Sequence, residues 1–283
     1  MPTQRTITVG VDGSPESLDA ADWAAREAQL RGLPLHLVHA FTAPTQPRQP
    51  STGDAAAREQ SALDRATLHL SYAHPALGIL EEPVTGPPVP ALLAMAETSD
   101  LLVVGSRGNS ALTGLMVGSV ALSLAARATC PVALVRAGEQ PADERAGAPG
   151  APYRPVLLGL DLDRPCDELL EYAFDAAAAR HTALHVLHAW TLPLVPSAAL
   201  EDPGQQRLRR LAAVLGSWQH KFPGTEVVPE TVHGRAGHHL LKASANASLL
   251  VVGRPANAGP HLGPTTHAVI HHVLCPVVVV PHT

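Results

Sequence analysis

Two short runs in the first half of this 283-residue chain place small and acidic residues where phosphate chemistry could be done. The first is Gly105-Ser106-Arg107-Gly108, followed after nine residues by Gly118-Ser119-Val120 at the start of a helical pattern running toward Arg127. Glycine lets a backbone turn at positive φ and approach a ligand closely, and the free amides of a helix start attract anions. Gly105-x2-Gly108-x9-Gly118-Ser119 therefore reads as a phosphate cradle, and on spacing alone equally well as a set of tight turns. It is not a Walker A loop, because no GK[ST] occurs, and no GxGxxG follows the first strand. The second run, Val9-Gly10-Val11-Asp12-Gly13-Ser14, ends an apolar segment in a carboxylate that also suits a turn beside Gly13.

Other reactive side chains carry less. His267 and His271 stand i, i+4 and share a helix face, with His261, His272, His233, His238 and His239 nearby in sequence, but no Cys or carboxylate stands at a ligand spacing beside them. They read as solvated or capping histidines, and no metal site is expected. Cys130, Cys166 and Cys275 are odd in number and lack CxxC spacing, which argues against a disulfide framework or a zinc site. Cys130 and Cys275 read as small buried hydrophobes; Cys166, after Pro165 at a helix start, lacks a basic partner. No nucleophile with an evident base and no acid-base pair stands at diagnostic spacing, so catalysis is not expected.

The elements that position these residues come twice. Leu35-His36-Leu37-Val38-His39-Ala40-Phe41 reappears as Leu184-His185-Val186-Leu187-His188-Ala189-Trp190, and Asp12 as Asp161, both 149 residues on. Leu101-Leu102-Val103-Val104-Gly105 returns at Leu249-Leu250-Val251-Val252-Gly253 and Cys130-Pro131-Val132 at Cys275-Pro276-Val277, so the second copy is three residues shorter between the last two blocks. Fixed-period self-similarity of this kind marks a tandem architecture. Apolar runs near 6–11, 35–40, 79–84, 101–105 and 132–135 predict five strands, with counterparts near 156–161, 183–189, 225–231, 249–253 and 277–280. Between them Leu18, Ala21, Ala25 and Ala28, then Leu92, Leu93 and Ala96, then Leu208, Leu211, Leu215 and Trp218 fall at helical spacing. Strand-helix alternation predicts an α/β fold: two tandem doubly wound, Rossmann-like domains, each a five-stranded parallel sheet flanked by helices. The boundaries expected are 1–137, an exposed linker over 138–152 that is rich in Gly, Pro and charge, and 153–283. In such sheets ligands bind beyond the carboxyl ends of the strands, which is where both runs lie.

Composition narrows the classes. A net charge of −5, with Lys221 and Lys242 the only lysines, offers no basic run for a nucleic-acid backbone. No stretch approaches the roughly 20 apolar residues of a membrane span, and no signal peptide is visible. A cytoplasmic protein without membrane or nucleic-acid partners is expected. With 3% aromatic residues, the cores must be filled by Ala, Val and Leu.

Taken together, VGVDGS, the repeated LHLVHA strand and above all Gly105-x2-Gly108-x9-Gly118-Ser119 with Cys130-Pro131-Val132 resemble the universal stress protein family in its tandem form, over nearly the whole chain. The resemblance implies ATP, with or without Mg²⁺, in the first domain. Asp12 would meet the ribose or the metal-phosphate region, and Val38 would present backbone groups to the adenine edge unless it is a plain core valine. Gly10 and Val11 would line the base and sugar pocket; Gly105, Ser106, Arg107 and Gly108 would wrap the phosphates; Gly118, Ser119 and Val120 would cap them. The implied role is a nucleotide-dependent regulatory or interaction module of the stress response, a homodimer with an unidentified protein partner; a slow ATPase or phosphotransfer enzyme is the alternative. The second copy departs from the pattern. Leu162-Asp163 replace Gly13-Ser14, Ala256 stands at Gly108, and Pro264 replaces Ser119, removing an amide and a hydroxyl. Weak or absent ATP binding is expected there.

Overall fold

The computed structural model describes residues 5–41, 53–106, 117–147, 150–164, 167–191 and 202–283. The chain divides into two compact units, Met1–Glu139 and Gln140–Thr283. In the first, the order is β1 (Ile7–Gly10), α1 (Pro15–Arg31), β2 (Leu35–Phe41), α2 (Gly53–Ala73), β3 (Ile79–Thr85), α3 (Pro88–Ala96), β4 (Leu101–Ser106), α4 (Ser119–Arg127) and β5 (Val132–Arg136). All pairings within the unit are parallel, in the order β3-β2-β1-β4-β5. The first two crossovers carry the chain outward from β1 on one side and the last two on the other, so crossovers of constant hand place α1 with α2 and α3 with α4 on opposite faces.

The second unit repeats this plan with β6 (Val156–Gly159), α5 (Asp167–Ala179), β7 (Leu184–Trp190), α6 (Pro203–Lys221), β8 (Val227–His233), α7 (Ala236–Ser244), β9 (Leu249–Pro255), α8 (Pro264–His272) and β10 (Val277–His282). Its parallel order is β8-β7-β6-β9-β10. The α/β class and the two five-stranded parallel sheets are those the sequence predicts.

Small side chains set the layer spacing. Ala20, Ala21, Ala24, Ala25 and Ala28 of α1 are fully buried, which lets the helix lie close on β4 and β5. Helix α1 starts where Ser14 accepts the Ser17 amide (3.2 Å) just before Pro15, and it ends at Gly32, whose φ of 63° closes the last turn. Sequence periodicity does not mark α2. Its buried stripe, Leu63, Ala66 and Leu70, is diluted by Leu68 and Tyr72, which face solvent. In α6 the buried residues are Leu211 and Leu215, whereas Leu208 is exposed.

The segment expected as an exposed linker is in part structured. Arg145 and Tyr153 form an antiparallel bridge, the Arg154 amide donates to the Glu144 carbonyl (2.8 Å), and Glu144 is buried. The chain reverses there through Gly147 and Gly150, at φ 117° and 87°, and the Arg145 guanidinium lies 4.2 Å over the Tyr153 ring. At one edge of each sheet the pattern changes: β3 carries Glu81-Glu82-Pro83 and β8 carries Pro229-Glu230. No helix among the described residues is long and apolar enough to cross a membrane.

Candidate functional site

The register sets Gly10, Val38 and Val104 in one row across β2, β1 and β4, at the point where the strand order reverses. Just beyond it the Val11 amide donates to the Val38 carbonyl (2.9 Å), which carries the pairing one residue past the strand and delivers Asp12 to the carboxyl edge. Asp12 Oδ1 accepts both the Ser14 amide (3.0 Å) and the Ser14 hydroxyl (2.5 Å), while the Asp12 amide donates to Ser17 Oγ (3.3 Å). Partial burial pushes the carboxyl upward in pKa, but the hydrogen bonds from Ser14, with Ser17 and the local backbone, outweigh it and hold Asp12 below its ordinary 3.8. The result is an anion fixed in place and facing solvent. Ser14 and Ser17, which do the fixing, were not singled out from sequence; Ser14 before Pro15 is a helix-cap signal that could have found them.

The glycines divide by what surrounds them. A Cβ on Gly10 would meet the Leu92 side chain at 2.9 Å, so this position faces α3. A Cβ on Gly105 would stand 2.6 Å from the Glu16 carbonyl oxygen, so Gly105 is where β4 touches the first turn of α1, and the geometry at this residue is one of close packing. Gly13, at φ +79°, is the turn residue, with the Arg65 guanidinium 2.8 Å from where its side chain would start. Gly118 caps α4 at φ −66°, an ordinary conformation for any residue, so its glycine is not required by the backbone.

Ser106 is buried and its hydroxyl donates to the Val135 carbonyl (3.1 Å), which turns it into the sheet. Val38 is fully buried, and its carbonyl accepts the Val11 amide. At α4 the first bond within the helix is Leu122 amide to Gly118 carbonyl, and no side chain caps the start, so the amides of Ser119, Val120 and Ala121 lack helical partners. Arg107 and Gly108 lie outside the described residues, as does Cys166.

In the second unit the counterparts of these positions meet around one cavity of about 370 Å³, whose lining includes Gly159, Asp161, Leu187, Gly253, Gly263 and Thr265. Through the repeat these correspond to Gly10, Asp12, Val38, Gly105, Gly118 and Val120. A formed crevice thus exists where weak or absent binding was expected. Its chemistry differs: among the described residues the Asp161 carboxylate receives the Asp163 amide (3.0 Å) in place of the Ser14 pair, and Pro264 opens α8 without an amide. His282 also lines the crevice, its ring lying where a side chain on Gly253 would have to go.

The remaining reactive groups stand apart. His267 and His271 rings lie 4.6 Å apart on α8, and no group of three or more metal-ligating side chains occurs among the described residues. Cys130 and Cys275 are buried, and burial pushes the Cys130 thiol up to about 12.

The model of the universal stress protein family matches this chain twice, over residues 4–136 and 152–281. The chain belongs to the universal stress protein family. Among similar relatives, universal stress protein Rv2005c of Mycobacterium tuberculosis is 34% identical, with 98% of this chain and 97% of that one covered. Universal stress protein Rv2623 of the same organism is 31% identical over 96% and 95%. The crystal structure of a universal stress protein from Archaeoglobus fulgidus DSM 4304 superposes with a TM-score of 0.68 at 18% identity, covering 98% of both chains, which extends the likeness of fold across this tandem family member.

Proposed function

We propose that this universal stress protein is an ATP-binding regulatory module, with the nucleotide held in the first of two domains, 1–137 and 153–283, joined by 138–152. The observation that carries the reading is the convergence around one cavity, in the second unit, of the counterparts of Gly10, Asp12, Val38, Gly105, Gly118 and Val120. The first unit has the same strand order and register and adds the stronger chemistry: an anchored Asp12 carboxylate and a helix start with no proline.

The residues present fit the nucleotide. Asp12, held through Oδ1 by Ser14, is exposed and keeps acceptor capacity that suits a ribose hydroxyl. Gly10 ends β1 beside it, with Val11 and Val38 buried behind. The Ser119 and Val120 amides, with Gly118 and the Ser119 hydroxyl, suit phosphate oxygens at the positive end of α4. Gly105 and Ser106 contribute by fixing the β4 exit that leads into Arg107 and Gly108. Mg²⁺, where it accompanies the phosphates, would find one carboxylate and otherwise water and phosphate oxygens, which is an ordinary set for that ion. Bound ATP supplies charge and ordering at the crevice, and the chain responds as a dimeric switch that engages a further protein.

Native mass spectrometry and calorimetric titration of the full chain test this. One ATP per chain is expected, lost in Asp12→Ala with Gly118→Val. Two equivalent sites, or one site that survives the double substitution, overturns the assignment to the first domain.

A further inference from the structure

Buried imidazoles stand behind the site in both units. His39 and His188 are 8% and 6% exposed, and each follows by one residue the β2 or β7 position that pairs with the end of β1 or β6. His39 Nδ1 lies 2.7 Å from the Val11 carbonyl and His188 Nδ1 lies 3.0 Å from the Leu160 carbonyl. A carbonyl only accepts, so both rings carry their proton on Nδ1. The two carbonyls belong to the residues immediately before Asp12 and Asp161. Their own amides are already bonded to the Val38 and Leu187 carbonyls, at 2.9 and 3.1 Å.

Each exit from the central strand is thus gripped twice by its neighbour, once by backbone and once by a side chain. A volume-filling role would be met by leucine, which brings no polar atom needing a partner. The two units have diverged at the following residues, Gly13-Ser14 against Leu162-Asp163, yet both keep the imidazole bond.

We propose that His39 is a positioning residue, whose Nδ1–H clamps the Val11 carbonyl and thereby holds the Asp12 carboxylate in place for the nucleotide, and that His188 holds Asp161 in the same way. The proposal rests on the ATP reading of the first domain for its ligand, and on the repeated bond for its mechanics. Asparagine places its amide nitrogen close to the position of Nδ1, whereas glutamine reaches the far ring nitrogen and leucine donates nothing.

The test uses the full-length chain with H39N, H39Q and H39L. ATP affinity is expected to stay within about twofold in H39N and to fall about tenfold in H39Q and H39L, the scale of one hydrogen bond lost from a buried carbonyl. Without ligand, exchange of the Val11 amide is expected to speed about tenfold in H39Q and H39L, to hold in H39N, and to leave Val103 unchanged in all three. Nitrogen-15 spectra of the unsubstituted chain should show His39 protonated at Nδ1. A ring protonated only at Nε2, an H39L chain matching the parent in both affinity and exchange, or an H39N chain as impaired as H39Q would overturn the proposal. A parent chain that binds no ATP overturns the ATP reading instead, and the Val11 exchange rates then decide the clamp without it.

Discussion

Replacing Gly105 by alanine should injure the first unit through its fold before it touches any ligand. The added methyl would stand 2.6 Å from the Glu16 oxygen and 2.9 Å from the Glu16 carbonyl carbon, both backbone atoms of the first turn of α1. Backbone cannot swing aside as a side chain can, so the helix start must shift bodily. Overpacking of this kind costs about 1–3 kcal/mol. The lower chain entropy of unfolded alanine returns about 0.4–1 kcal/mol. At the middle of both ranges a net loss of about 1.3 kcal/mol remains, and for a unit of this size that lowers the midpoint by roughly 3 °C per kcal/mol. Gly253→Ala is the matched control: its methyl would meet the His282 ring at 2.9 Å and the Leu169 side chain at 3.2 Å, both able to rotate, so its loss should stay under about 1 kcal/mol. Scanning calorimetry and urea titration of both full-length variants would measure this. Because the displaced turn also carries Ser17, ATP affinity should fall in Gly105→Ala and not in Gly253→Ala. A Gly105→Ala chain as stable as the parent, or a control that loses as much, would refute the steric reasoning.

Four further outcomes are expected. Asp12 has its folded pKa below the unfolded 3.8, so its contribution to stability is present above 3.8 and disappears as pH falls through the lower folded value; Asp12→Asn should flatten that part of the acid-unfolding curve, seen by circular dichroism. Ser106→Ala should cost about 1 kcal/mol of stability, through the lost bond to Val135, and, because that bond fixes the β4 exit, weaken ATP binding by calorimetry a few-fold. Gly118→Val should fold normally, since φ there is −66°, yet lose ATP binding; retained binding would remove the helix start from the site. Cys130, with its thiol near 12, should resist iodoacetamide at pH 8 in the native chain and react once unfolded, as read by peptide mass mapping.

How far the residues announce the structure depends on whether a signal is local. The sheets were legible because a strand buried on both faces must be apolar throughout, as Leu101 to Val104 are, and the repeat let each copy check the other. Helix α2 was not, because Leu68 and Tyr72 place large apolar groups in solvent and blur the stripe. At the site, Asp12 and the start of α4 could be read from spacing. The commitments of Ser106 to Val135, of Val38 to Val11 and of Gly105 to α1 join residues from 27 to nearly 90 positions apart, and only tertiary packing brings them together. His39 stands in a repeated strand that announces no role for it, for the same reason: its partner is the Val11 carbonyl, an atom every residue type would supply.

The Glu81-Glu82-Pro83 and Pro229-Glu230 segments bear on a different property, the colloidal fate of the chain. Proline has no amide to offer a passing strand, and the carboxylates of Glu81, Glu82 and Glu230 repel the like charges that an identical copy would bring alongside. Strands β3 and β8 are therefore poor templates for runaway, fibre-like growth.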